Sequence, residues 1–286
     1  MNAWQVGLST GCFYRTSIFE VLESIRDSTI SVVEICSHRT HLDYHNEQKV
    51  RAAAACLRKF RIQPFSFHAP FADYIDIASP DSGTRRDSVA EMLFAVRAAA
   101  ALGAPHFVIH PGPEREGDPD SERHLAMLKN CADSLRSIAA ECDRHGIKLL
   151  LENMLPHLFL GDAADLRWLM SELAPENPGF CLDTGHAHLG HNLHRLIQLF
   201  SEELTMVHAA DNRGLHDDHL PPGKGSIDWP ELLVLLRDLK FRGVFILELA
   251  GDTGAGKETI LAEALKARGF IEQIVQGSET GRKTQK

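Results

Sequence analysis

The chain has 286 residues, a length that fits one α/β barrel of about 250 residues. Its content of 44% hydrophobic and 24% charged residues is typical of a folded globular protein and excludes a disordered or fibrous chain. The formal net charge of −9 argues against a broad nucleic-acid-binding surface, because the phosphate backbone of nucleic acids is itself negative.

The sequence does not lead us to expect export or membrane insertion. No apolar run reaches the roughly 18 residues that a membrane span needs, and the first residues lack the basic and apolar regions of a signal peptide. We therefore expect a cytoplasmic protein without a membrane partner. The six cysteines show no Cys-x-x-Cys spacing, so we expect reduced thiols rather than disulfides or a zinc ribbon.

Short β-rich runs alternate with longer helical patterns along the chain, which is typical of repeated βα units around a parallel sheet. The predicted strands are almost continuously apolar, as buried parallel strands are. They cover residues 6–10, 31–36, 63–68, 106–110, 148–152, 179–183, 204–208 and 244–249. The predicted helices cover residues 18–26, 47–60, 85–102, 122–145, 163–173, 193–200, 229–239 and 258–274.

Eight βα units predict an α/β fold of one type, a single (β/α)8 TIM barrel. No proline-rich or low-complexity linker divides the chain, so we expect one domain over residues 1–276. Local signals agree with this assignment: Asp228 precedes a helix with proline in its first turn, and Gly103 and Gly146 each follow a helix. Residues 277–286 are polar and aperiodic, and we expect them to form a disordered C-terminal tail.

Residues of metal-binding type stand at the ends of the later strands. Six strands end in, or next to, such a residue: His68, His110, Glu152, Asp183, His208 and Glu248. Because the carboxyl ends of all barrel strands meet at one mouth, we expect these side chains to converge there. One such residue alone could equally cap a helix or satisfy a loop, but converging carboxylates would repel each other without a cation.

Three further residues of the same types follow closely in the sequence. His186 comes just after Asp183, and Asp217 and His219 form an Asp-x-His pair after the seventh strand. Imidazole and carboxylate ligands together suit zinc, manganese, iron or cobalt, whereas magnesium and calcium prefer oxygen alone. We therefore predict a divalent-metal cofactor, with Zn²⁺, Mn²⁺ or Co²⁺ as the candidates.

Several motifs at these strand ends resemble the xylose-isomerase-like TIM-barrel superfamily. They are FHAPF at 67–71, VIHPG at 108–112, LEN at 151–153, CLDTGHA at 181–187, VH at 207–208 and DDHLPPGKG at 217–225. The resemblance spans nearly the whole chain and implies a barrel with a metal-dependent activity. The superfamily contains sugar and sugar-phosphate isomerases and epimerases, and also the endonuclease IV type of abasic-site nuclease.

The epimerase branch implies one divalent ion, held here by Glu152, Asp183, His208 and Glu248. In that branch the ion grips a carbonyl and an adjacent hydroxyl of the substrate, and Glu152 and Glu248 move a proton through an enediolate. His186 would hydrogen-bond a substrate oxygen. The substrate would be a small sugar or sugar phosphate.

The nuclease branch implies up to three zinc ions and adds to the same four ligands His68, His110, His186, Asp217 and His219. It would make the chain a zinc phosphodiesterase that acts on abasic-site DNA, with nucleic acid as its partner. We rank this branch second, because the chain is acidic, lacks a basic DNA-reading loop rich in aromatic residues, and has a short segment from His208 to Asp217. Phe71 also stands where these nucleases carry a tyrosine.

A third hypothesis is a barrel that binds a sugar without turnover. A barrel that only binds a sugar would not need two glutamates and a histidine beside a metal. We therefore favour a metal-dependent isomerase or epimerase from the sequence. The oligomeric state stays open, a homo-oligomer included.

Two candidate substrate-binding residues lie in loops around the expected mouth of the barrel. Phe71 is placed to form a wall of the pocket. Arg213 is a candidate to hold a hydroxyl or phosphate, although a solvated loop arginine is the simpler interpretation.

The segment GDTGAGKE at 251–258 has the glycine and lysine spacing of a P-loop. A glutamate follows the lysine, however, where a P-loop needs the serine or threonine that binds Mg²⁺, and the motif belongs in another fold. A flexible loop and helix start is the simple interpretation. The other interpretation is a cradle for a substrate phosphate, formed by Gly254, Gly256 and Lys257, because loops after the last strands bind phosphate in many barrels.

Overall fold

The computed structural model describes residues 4–116, 122–251 and 256–283 of the chain. The strands in this part are β1 (Gln5–Ser9), β2 (Val32–Cys36), β3 (Gln63–His68), β4 (His106–Ile109), β5 (Lys148–Glu152), β6 (Gly179–Asp183), β7 (Leu204–Ala209) and β8 (Val244–Leu247). The helices are α1 (Ile18–Arg26), α2 (Glu47–Phe60), α3 (Ser82–Leu102), α4 (Glu122–Arg144), α5 (Ala163–Glu172), α6 (Thr184–Leu189), α7 (Leu193–Leu199), α8 (Trp229–Asp238) and α9 (Lys257–Lys283). Short 3-10 turns follow β1 and α5.

The eight strands found in the described ranges form a closed parallel barrel in chain order, with β8 pairing back to β1. Each strand pairs with its neighbours in the sequence, as successive right-handed βα crossovers require. The helices cover the barrel with one apolar face each. In α1 this face consists of Ile18, Val21, Leu22 and Ile25, at the spacing of an amphipathic helix. The predicted (β/α)8 TIM barrel is thus confirmed.

Helix boundaries follow the capping chemistry that the sequence predicts. The Asp228 carboxylate accepts the backbone N–H of Glu231 at 2.9 Å and so caps α8. Gly103 and Gly146 have φ angles of 82° and 67°, a left-handed conformation that residues with a side chain rarely adopt. They end α3 and α4, as expected.

Helices α3 and α6 differ from the sequence prediction. Helix α3 begins at Ser82 rather than at residue 85, because the Asp81 carboxylate accepts the N–H of Thr84 at 2.7 Å and caps an earlier turn. Helix α6 is too short to show a helical period in the sequence. It forms because Asp183 ends β6 and at once accepts the N–H of His186 at 2.6 Å.

The last helix is longer than the sequence pattern indicates. Helix α9 continues to Lys283, so residues 277–283 are helical where we expect an irregular tail. The added residues include weak helix formers such as Gly277 and Gly281, but extending an existing helix costs far less than starting one. The division of the chain into a barrel domain over residues 1–276 and a tail stays a prediction.

Side chains inside the barrel form an apolar layer below a polar one. The apolar layer consists of Val32, Val108, Leu150, Cys181, Met206, Val244 and Ile246. Successive side chains of a strand point to opposite faces, so the residue two positions further along points inward again. On β5, Leu150 is thus followed by Glu152, and on β7 Met206 is followed by His208. This alternation puts ionisable groups at the carboxyl ends of the strands.

The six cysteines form no disulfide in this structure. Cys12, Cys131, Cys142 and Cys181 are buried, and burial raises the pKa of each of these thiols. Among the residues that the structure describes, no helix is both long and apolar enough to cross a membrane.

Candidate metal centre

Glu152 ends β5 and occupies the middle of the candidate site. Its Oε2 atom lies 3.3 Å from Nε2 of His68 and 3.4 Å from Nε2 of His110. Its Oε1 atom lies 2.9 Å from Nδ1 of His208. One carboxylate thus connects side chains from the carboxyl ends of β3, β4 and β7. We call His68, His110 and Glu152 the histidine set.

A second group of ligands, the central set, joins Glu152 and His208 with Asp183 and Glu248. The Glu248 Oε2 atom lies 3.5 Å from Nδ1 of His208. One ligand atom from each of the four residues lies within 4.8 Å of the others, a spacing that one cation can bridge. Cys181, from the apolar layer, also lies within this distance of Glu152 and His208.

A third group, the loop set, consists of His186, Asp217 and His219. The Asp217 Oδ2 atom lies 3.4 Å from Nε2 of His186 and 3.0 Å from Nε2 of His219. His186 is close to the histidine set, since its ring centroid lies 6.2 Å from that of His110. The structure therefore brings all the predicted metal-ligand residues together, in three sets of which two share Glu152.

Each histidine of these sets is held from behind by a hydrogen-bond acceptor. In four of them Nδ1 donates away from the centre and Nε2 faces a carboxylate; the pairs are His68 with the Ala69 carbonyl, His110 with Glu114, His186 with the Asn153 carbonyl, and His219 with the Glu248 carbonyl. His208 is reversed, because its Nε2 donates to Glu34. Metal-binding histidines in proteins are held in this way, which orients the ring and fixes its tautomer.

Three buried carboxylate oxygens of the centre have no hydrogen-bond partner among the described residues. They are Oε2 of Glu152, Oδ2 of Asp183 and Oδ1 of Asp217. A buried carboxylate oxygen that accepts no hydrogen bond costs free energy, and a cation beside it would lower that cost. The donors are imidazole nitrogens and carboxylate oxygens, which suit zinc and its transition-metal neighbours. The residues present therefore fit the expected divalent metal; its identity and number stay predictions.

The carboxylates of the loop set act strongly on the histidines. Burial lowers the pKa of His186, but Asp183 and Asp217 raise it by more, to about 10. Burial also lowers the pKa of His219, and Asp217 again outweighs it and raises the pKa to about 9. These raised pKa values favour the doubly protonated, positively charged form of both imidazoles. Metal binding to these nitrogens would therefore compete with protons.

The two glutamates of the central set differ in their acidity. Burial alone would raise the pKa of Glu152, but His208 and His110 hold that pKa well below its usual range. Burial raises the pKa of Glu248, and the nearby His208 offsets only part of that effect. The environment thus favours a charged Glu152 and disfavours a charged Glu248.

A cavity of about 810 Å³ opens over the centre, a volume typical of small-molecule sites. Seven of the metal-ligand residues line it: His68, His110, Glu152, His186, Asp217, His219 and Glu248. Phe71, Tyr74 and Leu158 add an apolar wall, and Phe71 is 54% exposed at the rim. Asp183 and His208 are fully buried behind this lining.

Arg213, Gly256 and Lys257, three other predicted substrate-binding residues, are not among the described residues that line the cavity. Arg213 is exposed on the loop after β7. Lys257 begins α9, and its Nζ atom lies 3.8 Å from Glu20 of α1, so its charge is directed to the surface of the helical layer. Gly256 precedes α9 and is exposed, and Gly254 lies outside the described residues. Residues 252–255 of this segment lie outside the described residues, so the phosphate cradle stays a prediction.

Sequence reasoning missed two carboxylates behind the histidines. Glu34 interrupts the apolar strand β2, and this charged residue in a buried strand was the available signal. Glu114 is four residues after His110 in the sequence. Both residues lie in a loop, so no helical or strand periodicity predicts their contact.

Residues 10–273 match the family model described as the xylose isomerase-like TIM barrel. The chain belongs to the xylose isomerase-like TIM-barrel family. An uncharacterized protein of Methanocaldococcus jannaschii is 29% identical over 269 residues, which cover 91% of this chain and 89% of that protein. A probable endonuclease 4 of Persephonella marina is 26% identical over 210 residues, which cover 67% of this chain and 71% of that protein.

Solved structures of the xylose isomerase-like fold superimpose on nearly the whole chain. A D-tagatose 3-epimerase-like protein has a TM-score of 0.80 at 24% identity, and the match covers 97% of this chain and 99% of that one. The IOLI protein, whose structure holds a zinc atom, has a TM-score of 0.80 at 18% identity and covers 94% and 98%. These identities establish the shared fold. The resemblance inferred from the motifs is confirmed, with epimerase and endonuclease names among the matched proteins.

Proposed function

We propose that this member of the xylose isomerase-like family is a divalent-metal-dependent hydrolase of phosphate esters. One observation carries the proposal: three ligand sets adjoin one cavity, and two of them share Glu152. A one-ion isomerase mechanism uses the central set alone and gives no role to His68, His110, Asp217 and His219. Neighbouring cations that share a carboxylate are typical of enzymes that hydrolyse phosphate esters.

The short segment between His208 and Asp217, which argues against a hydrolase in the sequence, does not keep the loop set from the cavity. Asp211 and Leu220 form a backbone bridge across this segment and turn it back over the barrel. The net charge of −9 still disfavours duplex DNA. We therefore infer that the preferred substrate is a small phosphate ester that enters the cavity, rather than abasic-site DNA.

Divalent ions in the three sets would supply positive charge that stabilises the negative charge developing on the phosphate oxygens. The chain's own residues keep the metal ligands in place. Glu152 contacts His68, His110 and His208 and holds their rings in fixed positions, and Asp217 does the same for His186 and His219. Phe71 lines the cavity and would cover one side of a bound substrate with an apolar ring.

A second candidate is the sugar or sugar-phosphate isomerase or epimerase, and the two glutamates of the central set favour it. Glu152 and Glu248 both approach Nδ1 of His208, from β5 and β8, and their pKa values shift in opposite directions. Such a pair is suited to take a proton from one carbon and to return one through an enediolate. The epimerase names of solved neighbours agree with this candidate.

Metal content and two assays distinguish the candidates. Elemental analysis of protein purified without added metal should find about three ions per chain for the hydrolase and about one for the isomerase. Metal-replete protein is then assayed with p-nitrophenyl phosphate, bis(p-nitrophenyl) phosphate and abasic duplex DNA. The same preparation is incubated in D₂O with ketoses and ketose phosphates to detect exchange of the α-hydrogen. We expect hydrolysis of the small esters without deuterium uptake.

Asp217→Asn is the most informative variant, because Asp217 belongs to the loop set and not to the central set. We expect it to lose one ion and to lower hydrolysis about 100-fold or more. Asp218→Asn changes the neighbouring residue, which belongs to none of the three sets. This variant should retain the wild-type number of ions and the wild-type rate of hydrolysis. One ion per chain, deuterium uptake and a fully active Asp217→Asn variant would together establish the isomerase instead.

A further inference from the structure

His208 differs from the other histidines of the centre in the orientation of its ring. The others turn Nδ1 away from the site and Nε2 toward a carboxylate. His208 turns Nδ1 toward Glu152 and Glu248, at 2.9 and 3.5 Å. Its Nε2 lies 3.1 Å from Oε2 of Glu34, a residue 174 positions earlier in the chain.

Glu34 is a fully buried carboxylate in an otherwise apolar strand. Its Oε1 accepts a hydrogen bond of 3.2 Å from the Ser9 hydroxyl, and its Oε2 accepts one of 2.8 Å from the Ser66 hydroxyl. Both serines are buried as well, on β1 and β3. Donors from three strands therefore hold the carboxylate in one orientation behind His208.

Packing by itself does not require a carboxylate at this position. The inward-facing residue two positions earlier on β2 is Val32, part of the apolar layer. A buried charge is costly unless it is paired, so an apolar residue here would satisfy packing at lower cost. Glu34 does not line the cavity and so does not contact a bound substrate. The contact with His208 therefore explains why a carboxylate stands at position 34.

We propose that Glu34 is a positioning residue that determines which nitrogen of His208 faces the metal site. A carboxylate only accepts hydrogen bonds, so Nε2 of His208 must carry a proton to donate to it. Nδ1 then keeps its lone pair for a cation shared with Glu152 and Glu248. The inference rests on the metal-dependent site proposed above and holds for either candidate reaction.

Zinc affinity, measured by competition with a chromogenic chelator, tests the inference. Glu34→Gln keeps the shape of the side chain, but its amide can donate to Nε2 as well as accept from it. We expect the zinc Kd to rise about tenfold to a hundredfold. Ser66→Ala keeps the carboxylate and removes one of its donors, so the Kd should rise by a smaller factor.

Asp76→Asn is the matched control. It neutralises another buried carboxylate, whose partners are Arg115 and the Ala78 N–H rather than a residue of the three sets. Its zinc Kd should equal that of the wild type. The protonation of His208 provides a direct readout that a purely structural role of Glu34 would not change. In zinc-loaded, ¹⁵N-labelled wild-type protein, Nε2 of His208 should give an N–H correlation, which Glu34→Gln should weaken or abolish.

The outcomes separate this inference from the proposed function. Wild-type zinc affinity together with an unchanged His208 correlation in Glu34→Gln would overturn the role of Glu34 and leave the proposed function intact. A wild-type protein that binds no divalent ion would overturn both. Should Glu34→Gln fail to fold, Ser66→Ala decides the question, because wild-type affinity in that variant contradicts a positioning network.

Discussion

Nε1 of Trp229 donates a hydrogen bond of 2.9 Å to Oδ2 of Asp211, and this contact closes the loop between β7 and α8. The same carboxylate accepts the backbone N–H groups of Gly223 and Ile227, at 2.9 and 3.2 Å. Asp211 is buried, so these donors have no competition from water. One carboxylate therefore folds the loop that carries two residues of the loop set.

Asp211→Asn should destabilise the protein by about 2 to 4 kcal/mol, because the amide keeps one acceptor oxygen and turns an NH₂ group toward buried donors. The loop set should also lose its ion. Urea unfolding and elemental analysis measure the two effects. Asp228→Asn, at the exposed cap of α8, is the control, since asparagine caps a helix as well as aspartate does. Equal stability of the two variants would contradict the role of Asp211.

Glu152→Gln should lower turnover by about 100-fold or more while the chain stays folded, because it removes the negative ligand that two sets share. Steady-state kinetics and the circular dichroism spectrum measure turnover and folding. Glu248→Gln should have a similar effect through the central set. Glu141→Gln, which changes a buried carboxylate paired with arginines on the outer helices, should remain active. Near-normal activity of Glu152→Gln would refute the metal assignment.

Stability at acid pH should depend on His41. Burial lowers the pKa of this histidine from 6.5 to about 4, and its Nδ1–H bond to the Thr16 carbonyl offsets only part of the effect. The unfolded chain takes up the proton at the higher pKa, so stability falls as the pH drops from about 6.5 to about 4. The full loss amounts to about 3 kcal/mol.

Urea unfolding at several pH values across this window measures the effect of His41. In His41→Gln the stability should decline less between pH 6.5 and 4 than in the wild type. His194→Gln changes a half-exposed histidine and should retain the wild-type decline. Parallel pH profiles for the wild type and His41→Gln would show that another group is responsible.

Removal of divalent ions should lower the thermal stability. An ion that binds only the folded state adds about 2.7 kcal/mol when its concentration is a hundred times its Kd. For a chain of this size that corresponds to a rise in Tm of roughly 5 °C. Scanning calorimetry of chelator-treated protein, with and without added Zn²⁺ or Mn²⁺, measures the shift. Glu152→Gln should show a much smaller shift, and an equal shift would mean that the ions bind elsewhere.

Much of the architecture follows from local patterns in the sequence. Each strand is a short apolar run. Because side chains alternate between the two faces of a strand, the residue two positions after a member of the apolar layer points into the barrel again. The barrel and the convergence of residues such as His68, Glu152 and His208 could therefore be predicted. Helix α6 could not, because six residues are too few to show a helical period.

Strand direction and side-chain alternation are properties of each strand alone, so the sequence is enough to predict which residues reach the mouth of the barrel. The orientation of those residues depends on contacts made in the folded barrel. Which nitrogen of His208 faces the site depends on Glu34, which is remote in sequence and adjacent in space. Lys257 likewise pairs with Glu20, a residue far away in the sequence, and does not approach the cavity. Contacts between distant segments form only when the barrel closes, so local sequence patterns do not predict them.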